Sequence, residues 1–226
     1  MEIIRLDTLL LPLASLISLV LGITVHEFSH ALSADLLGDS TPRYQGRLTL
    51  NPLAHFDPIG GLMILVSSLS GFGFGWGKPV PVNPANLQYG PRVGLAIVSF
   101  AGPFSNIVLA TLAAAPLRLA VMRGVVLSGA LVMLLLVIVS TNIALAVFNL
   151  LPLHPLDGFS VLRGILSTIR MRWAYDVSAF MDQMLRYGPM IFMAVIFLDQ
   201  LLPGRGIIWT VLGPVYDLLF KVIVGY

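Results

Sequence analysis

The sequence predicts an all-α polytopic membrane protein, and three observations carry that prediction. Of its 226 residues, 57% are hydrophobic and only 11% charged, against about 25% charged in soluble domains. Apolar runs recur along the chain at lengths near the roughly 20 residues that cross a bilayer as a helix. The 13 Lys and Arg are scattered over short loops between those runs. That is the pattern of topology signals, not of a nucleic-acid surface. Cysteine is absent, which removes disulfides and thiolate metal ligands and leaves nitrogen and oxygen as donors for any zinc.

Taken in order, Leu9 to Val25 is apolar and its helical pattern continues to Leu37, where Gly38-Asp39-Ser40 reads as a stop. This first run is expected to be retained, because no small-residue cleavage site follows it. Arg47 to Leu50 alternates like a short strand, and Lys78-Pro79-Val80-Pro81-Val82-Asn83-Pro84 is expected as an extended edge. Between them, Ile59 to Trp76 is apolar but rich in Gly and Ser, suiting either a full span or a re-entrant dip. Val93 to Leu117 and Val125 to Leu151 read as spans, the former interrupted by Ala101-Gly102-Pro103. Ser160 to Tyr187 is amphipathic and reads as an interfacial helix pair. Pro189 to Leu202 and Ile207 to Val224 form a closing pair around Pro203-Gly204. The expectation is five full spans plus a re-entrant segment, six if that segment crosses, with short membrane-associated β-strands near the active site. Residues 1–226 form one integral-membrane domain, with a core at 6–168 and a C-terminal helical pair at 187–226. No internal repeat is present.

One stretch carries chemistry. His26-Glu27-Phe28-Ser29-His30 sets two imidazoles one helical turn apart on one face, able to share a metal ion. Glu27 lies beside them as a general base toward a water that the metal activates. Three polar side chains in an apolar helix are costly unless they serve a function. A catalytic zinc takes three protein ligands and keeps a fourth position open. Asp35, five residues past His30, points about 140° away, so the third ligand comes from elsewhere. Among the 11 acidic residues, Asp157 stands out at a proline-broken helix end in apolar surroundings. It is either that ligand or an N-cap for the segment beginning at Gly158.

Together, the His26–His30 motif, Ala101-Gly102-Pro103-Phe104-Ser105-Asn106 and Asn149-x-x-Pro152-x-x-x-Leu156-Asp157-Gly158 resemble the site-2 protease family of intramembrane zinc metalloproteases. The resemblance is to a compact bacterial branch without PDZ or CBS modules. It implies one Zn2+ per chain on His26, His30 and Asp157, Glu27 as general base, and Asn149 as a substrate-holding residue. The implied partners are the lipid bilayer, a transmembrane, single-span protein substrate and a separate regulatory protein; nucleic acid is excluded. The sequence departs from the family pattern where a proline five residues after the Asn is replaced by His154. His154 and His55 are kept as accessory or regulatory candidates. An edge at Arg47–Leu50 or Val80–Asn83 is expected to receive unwound substrate by strand addition. The rival classes are a membrane metal-ion transporter and a non-proteolytic scaffold.

A shared metal fixes part of the topology. The first helix and the span from Val125 must run in the same direction, so an odd number of crossings separates them and Ile59–Trp76 dips and returns. Arg43, Arg47, Lys78, Arg92, Arg163, Arg170, Arg172, Arg186 and Lys221 then lie on one side, against Arg5, Arg118, Arg123 and Arg205. The richer side is expected to be cytoplasmic, with the N-terminus outside, the C-terminus cytoplasmic and the membrane a bacterial inner membrane.

Overall fold

The computed structural model describes residues 6–70, 76–201 and 206–225. The helices are α1 (Leu6–Leu36), α2 (Thr41–Tyr44), α3 (Pro58–Ser70), α4 (Pro91–Arg123), α5 (Gly129–Asn149), α6 (Asp157–Thr168), α7 (Arg172–Met184), α8 (Gly188–Leu201) and α9 (Gly206–Val224). Single 3-10 turns occupy Pro52–His55 and Pro84–Asn86. The predicted Pro203-Gly204 turn and residues 71–75 of the Ile59–Trp76 segment lie outside the described residues.

Three hydroxyl residues of α1 are compatible with lipid because the helix itself satisfies them. Ser15, Thr24 and Ser29 donate to the carbonyls of Leu11, Val20 and Val25 at 2.9, 2.7 and 2.7 Å. In α4, Pro103 and Pro116 sit inside a 33-residue helix. Gly124, at φ 63°, ends that helix in a left-handed cap that costs glycine little.

Contacts between the long helices fix their directions. Ser18 Oγ donates to Val137 O at 3.3 Å, and a Cβ on Gly22 would lie 2.8 Å from Leu145 and 2.9 Å from Asn142. Progress along α1 therefore matches progress along α5, and the two run parallel as the shared-metal argument requires. Gly22 pairs with Asn106 and His30 with Val98, so α4 runs antiparallel to both. Helix α9 also opposes α5. Ile208 packs on Phe148 and Leu151, the Tyr216 and Ser140 hydroxyls are 2.8 Å apart, and Arg118 Nη1 donates to Val222 O at 3.3 Å. Small buried residues, Ala110 and Ala114 against Val139, Ile143 and Leu212, let these helices approach closely.

Helix α9 ends beside Arg118, in the last turns of α4 and at the end of the bundle where α1 begins. Helix α8, expected as a full span, has 14 described residues, and its Phe192 and Ile196 cluster with Leu156, Phe148 and Leu151 near the end of α5. Among the described residues, four helices are long and apolar enough to cross a membrane, or five if the α7–α8 pair, bent by 82°, is counted as one span.

The predicted strands are corrected. No strand occurs among the described residues. Arg47–Leu50 is a bend whose alternation reflects inward-turned Arg47, only 4% exposed. Residues 77–83 are extended without a ladder partner, because prolines at 79 and 81 remove every second N–H. The flanks of residues 58–76 meet: Lys78 N–H donates to His55 O at 2.8 Å, and a Cβ on Gly60 would lie 2.1 Å from Trp76 O. Gln88 N–H likewise donates to Leu37 O at 2.8 Å, which brings the start of α4 back to the end of α1. Helix α7 is held to α4 and α6 by Asp182, which accepts from Arg92 at 2.7 Å and from Arg163.

Candidate active site

Two helices bring three candidate ligand atoms together. His26 Nε2 and His30 Nε2, on successive turns of α1, are 2.9 Å apart. Asp157 Oδ2 lies 3.1 Å from the first and 3.3 Å from the second. Asp157 is the first residue of α6, and Leu156, not Asp157, occupies the N-cap position. The carboxylate is thus directed at the imidazoles instead of capping its own helix.

The outer ring nitrogens determine what the inner ones present. His30 Nδ1 lies 2.7 Å from the carbonyl oxygen of Val98, which only accepts, so Nδ1 carries the hydrogen. His26 Nδ1 lies 2.7 Å from Asn106 Oδ1. The Asn106 amide has one workable orientation, because its Nδ2 donates to Gly22 O at 3.0 Å and to Asn142 Oδ1 at 2.8 Å. In their neutral forms both imidazoles would then turn Nε2 lone pairs inward, toward each other and the carboxylate. Two such nitrogens and a carboxylate oxygen converging on one point form a donor set that could hold a metal ion. Zinc at about 2.0–2.2 Å from each donor would give ligand–ligand edges of about 3.3–3.5 Å in a tetrahedron, close to the separations found. The residues fit a zinc ion.

The surroundings are shaped for this cluster. Gly102 of α4 faces both imidazoles, where a Cβ would stand 2.5 Å from His30 Nε2 and 2.7 Å from His26 Cε1. Glu27 does not join the cluster; its Oε2 accepts the Val80 N–H at 3.0 Å. A cavity of about 350 Å3 opens over the site, lined by Glu27, Pro79, Val80, Asn149 and Pro155 together with the ligand triad. Asn149 Nδ2 donates to Leu145 O at 2.9 Å within its own helix.

The other two histidines lie apart from the triad. His55, 1% exposed, places Nε2 2.8 Å from Thr49 O and Nδ1 3.5 Å from Arg47 Nη2, which pins the loop after α2. His154 packs edge-on against Phe159 with centroids 5.4 Å apart, and its Cβ would lie 2.6 Å from a Cβ on Gly188. Burial, then the nearby Arg163 charge, holds its pKa below the ordinary histidine value. Asp35 forms a bidentate pair with Arg43 at 2.8 and 2.5 Å. The sequence alone does not show that Asn106 holds His26, that Asn142 supports Asn106, that Gly102 makes room for both imidazoles or that Val80 meets Glu27, although two amides inside apolar helices are a readable signal.

The family model described as Peptidase family M50 matches residues 114–195. The chain is 37% identical over 209 residues to YwhC of Bacillus subtilis (strain 168), whose name assigns it to the zinc metalloproteases; the match covers 91% of this chain and 88% of that protein. Rip2 of Mycolicibacterium smegmatis, also named as a zinc metalloprotease, is 32% identical over 63% of this chain and 53% of its own length. Rip2 of Mycobacterium tuberculosis (strain H37Rv) is 30% identical over 82% of this chain and 66% of its own length. No solved structure gives a significant match. With a His-His-Asp group that could hold a metal ion and near-complete coverage of a relative, the chain belongs to peptidase family M50, the site-2 proteases, whose metal is zinc.

Proposed function

We propose that this chain is an intramembrane zinc metalloendopeptidase that cleaves transmembrane segments of membrane proteins, with His26, His30 and Asp157 as ligands and Glu27 as general base. The observation that carries it is the convergence of two imidazole nitrogens and a carboxylate oxygen in a cavity that also contains a glutamate outside that group. Zinc held by His26, His30 and Asp157 would supply Lewis acidity that activates water and polarises the scissile carbonyl. Glu27 would take the proton of the attacking water and return it to the leaving amine. Asn106 and Val98 O keep both imidazoles oriented while charge develops. Asn149 lines the cavity and holds substrate backbone through its amide oxygen.

A substrate helix must unwind before its carbonyls can be attacked, and unwound backbone in lipid needs partners. In an extended run the N–H and C=O of residues 80 and 82 share one edge. The prolines at 79 and 81 leave the opposite edge without donors, and Val80 N–H is given to Glu27; 80–83 is the better candidate for strand addition through the Val80 and Val82 carbonyls and the Val82 N–H, and the bend at 47–50 drops out.

We further propose four crossings, α1, α4, α5 and α9, with 58–76 as a re-entrant loop and α7–α8 at the site-side interface. The meeting of Gly60 with Trp76 and of His55 with Lys78 supports the re-entrant reading. Arg43, Arg47, Lys78, Arg92, Arg163, Arg170, Arg172 and Arg186 then fall on the site side or in its connections, against Arg118, Arg123 and Lys221. The site side is cytoplasmic by that bias; both chain ends face outward, and the membrane is a bacterial cell membrane. Residues 6–168 serve as the catalytic core within a single domain, and 187–226 as its closing helices.

The test uses purified protein and Glu27→Gln in detergent with a single-span substrate and zinc assayed in both. Cleavage by the wild type alone, with zinc in both proteins, is expected. Zinc flux across proteoliposomes without cleavage would replace the protease reading by transport.

A further inference from the structure

Asp39 is a carboxylate with 0% exposure, three residues past α1, and its hydrogen-bond donors are all uncharged. Burying an ionised carboxylate is costly unless its lone pairs are satisfied. Here they are satisfied in two separate directions. Oδ1 accepts from Thr41 N at 3.2 Å, Thr41 Oγ1 at 2.6 Å and Asn86 Nδ2 at 3.0 Å. Oδ2 accepts from the backbone N–H of Asn83 at 2.7 Å. One oxygen thus organises the start of α2 and the turn at Pro84–Asn86, while the other holds the end of the extended segment across the cavity.

That segment is fastened at both ends. At Lys78 its N–H donates to His55 O at 2.8 Å and its carbonyl accepts from buried Arg47 Nη2. At Asn83 the fastening is Asp39 Oδ2. Pro79, Val80 and Val82 between them line the cavity, and Val80 N–H meets Glu27 Oε2 at 3.0 Å. Prolines at 79 and 81 fix φ at two of the strap's six positions, so a displacement at Asn83 is carried along a stiff strap to Val80.

We propose that Asp39 is a positioning residue for the reaction: by holding Asn83 it seats the 78–83 strap so that Val80 N–H orients the Glu27 carboxylate. The proposal rests on the reading of Glu27 as general base. Glu27 and Asp39 lie at opposite ends of the last three turns of α1 and its stop, so the helix that carries the base also anchors the strap that orients it.

Asp39→Asn cuts this link selectively. Its amide oxygen keeps the three donors now on Oδ1, which leaves its NH2 facing the Asn83 N–H, donor against donor. Thr41→Val removes a donor on the Oδ1 side only and serves as control. Zinc-loaded proteins in detergent are compared by hydrogen exchange, zinc content and steady-state cleavage of a single-span substrate. For Asp39→Asn, exchange in 78–83 is expected to accelerate at least tenfold while that of α1 is unchanged. Zinc should stay stoichiometric, with kcat at least tenfold lower and KM within threefold. Thr41→Val should change none of these. A second pair keeps the test open if Asp39→Asn does not fold. Val80→Pro removes the N–H given to Glu27 and should lower kcat at least tenfold, whereas Val80→Ala retains that N–H and should lower it much less. Wild-type exchange rates in the strap of Asp39→Asn, or an unchanged kcat in Val80→Pro, overturn the proposal. If the wild type cleaves no substrate, the protease reading fails while the exchange comparison still decides whether Asp39 holds the strap.

Discussion

Replacing Asn106 by Leu should weaken zinc binding by about 10–100-fold without touching a ligand. Asn106 is 0% exposed and makes three hydrogen bonds, accepting from His26 Nδ1 at 2.7 Å and donating to Gly22 O at 3.0 Å and Asn142 Oδ1 at 2.8 Å. Leucine takes away the acceptor. His26 must then either leave a buried N–H unpaired, at about 1–3 kcal/mol, or move its hydrogen to Nε2 and lose the inward lone pair. Both costs enter the zinc affinity directly, and 1.4 kcal/mol is about one decade. The range agrees with the usual effect of removing a group that orients a metal-binding histidine. Competition against a chelator of known affinity, with apo-protein in detergent, measures it. Asn106→Asp retains an acceptor for His26 but sets a carboxylate oxygen against Asn142 Oδ1 or Gly22 O. It should bind zinc more nearly like the wild type while melting at a lower temperature. Zinc affinity within twofold of wild type in Asn106→Leu would refute the argument that this amide fixes the His26 tautomer.

Four further outcomes are expected. Glu27→Gln should hold stoichiometric zinc and lose turnover; loss of the metal would make the glutamate a ligand. Gly102→Ala should cost at least tenfold in zinc affinity, since its Cβ would stand 2.5 Å from His30 Nε2 and a rigid imidazole cannot yield without leaving the ligand cluster; unchanged metal content would contradict this. His154→Pro should keep zinc and much of the activity, because His154 packs on Phe159 away from the triad; metal loss would promote it to a ligand. Burial pushes the Asp39 carboxyl up, but its hydrogen bonds from Thr41, Asn86 and Asn83 prevail and hold it below the ordinary 3.8. The folded chain then refuses a proton that the unfolded chain takes up, so this stabilisation is full above that value and lost as pH falls through the depressed one. The stability gap between wild type and Asp39→Asn should shrink accordingly from about pH 5 to pH 3, and a gap that widened would reverse the sign.

What the sequence revealed and what it concealed divide along the range of the interactions involved. The four-residue spacing of His26 and His30 is a local property of one helix, and Asp157 announced itself as a carboxylate at a broken helix end among apolar residues. The partners of those ligands are not local. Asn106 is 80 positions from His26 and Val98 is 68 from His30, and no pattern within either segment links them. The strand expected at Arg47–Leu50 failed for a related reason: one buried arginine, turned in to serve Lys78, imitates two-residue alternation. The direction of the last helix shows the limit most clearly. Charge bias does not decide it, because moving Lys221 to the other side leaves the same side the richer in basic residues. Contacts such as Tyr216 with Ser140 and Arg118 with Val222 carry that information instead. Hydropathy identifies the segments that prefer lipid, but packing against α4 and α5 decides which way α9 runs.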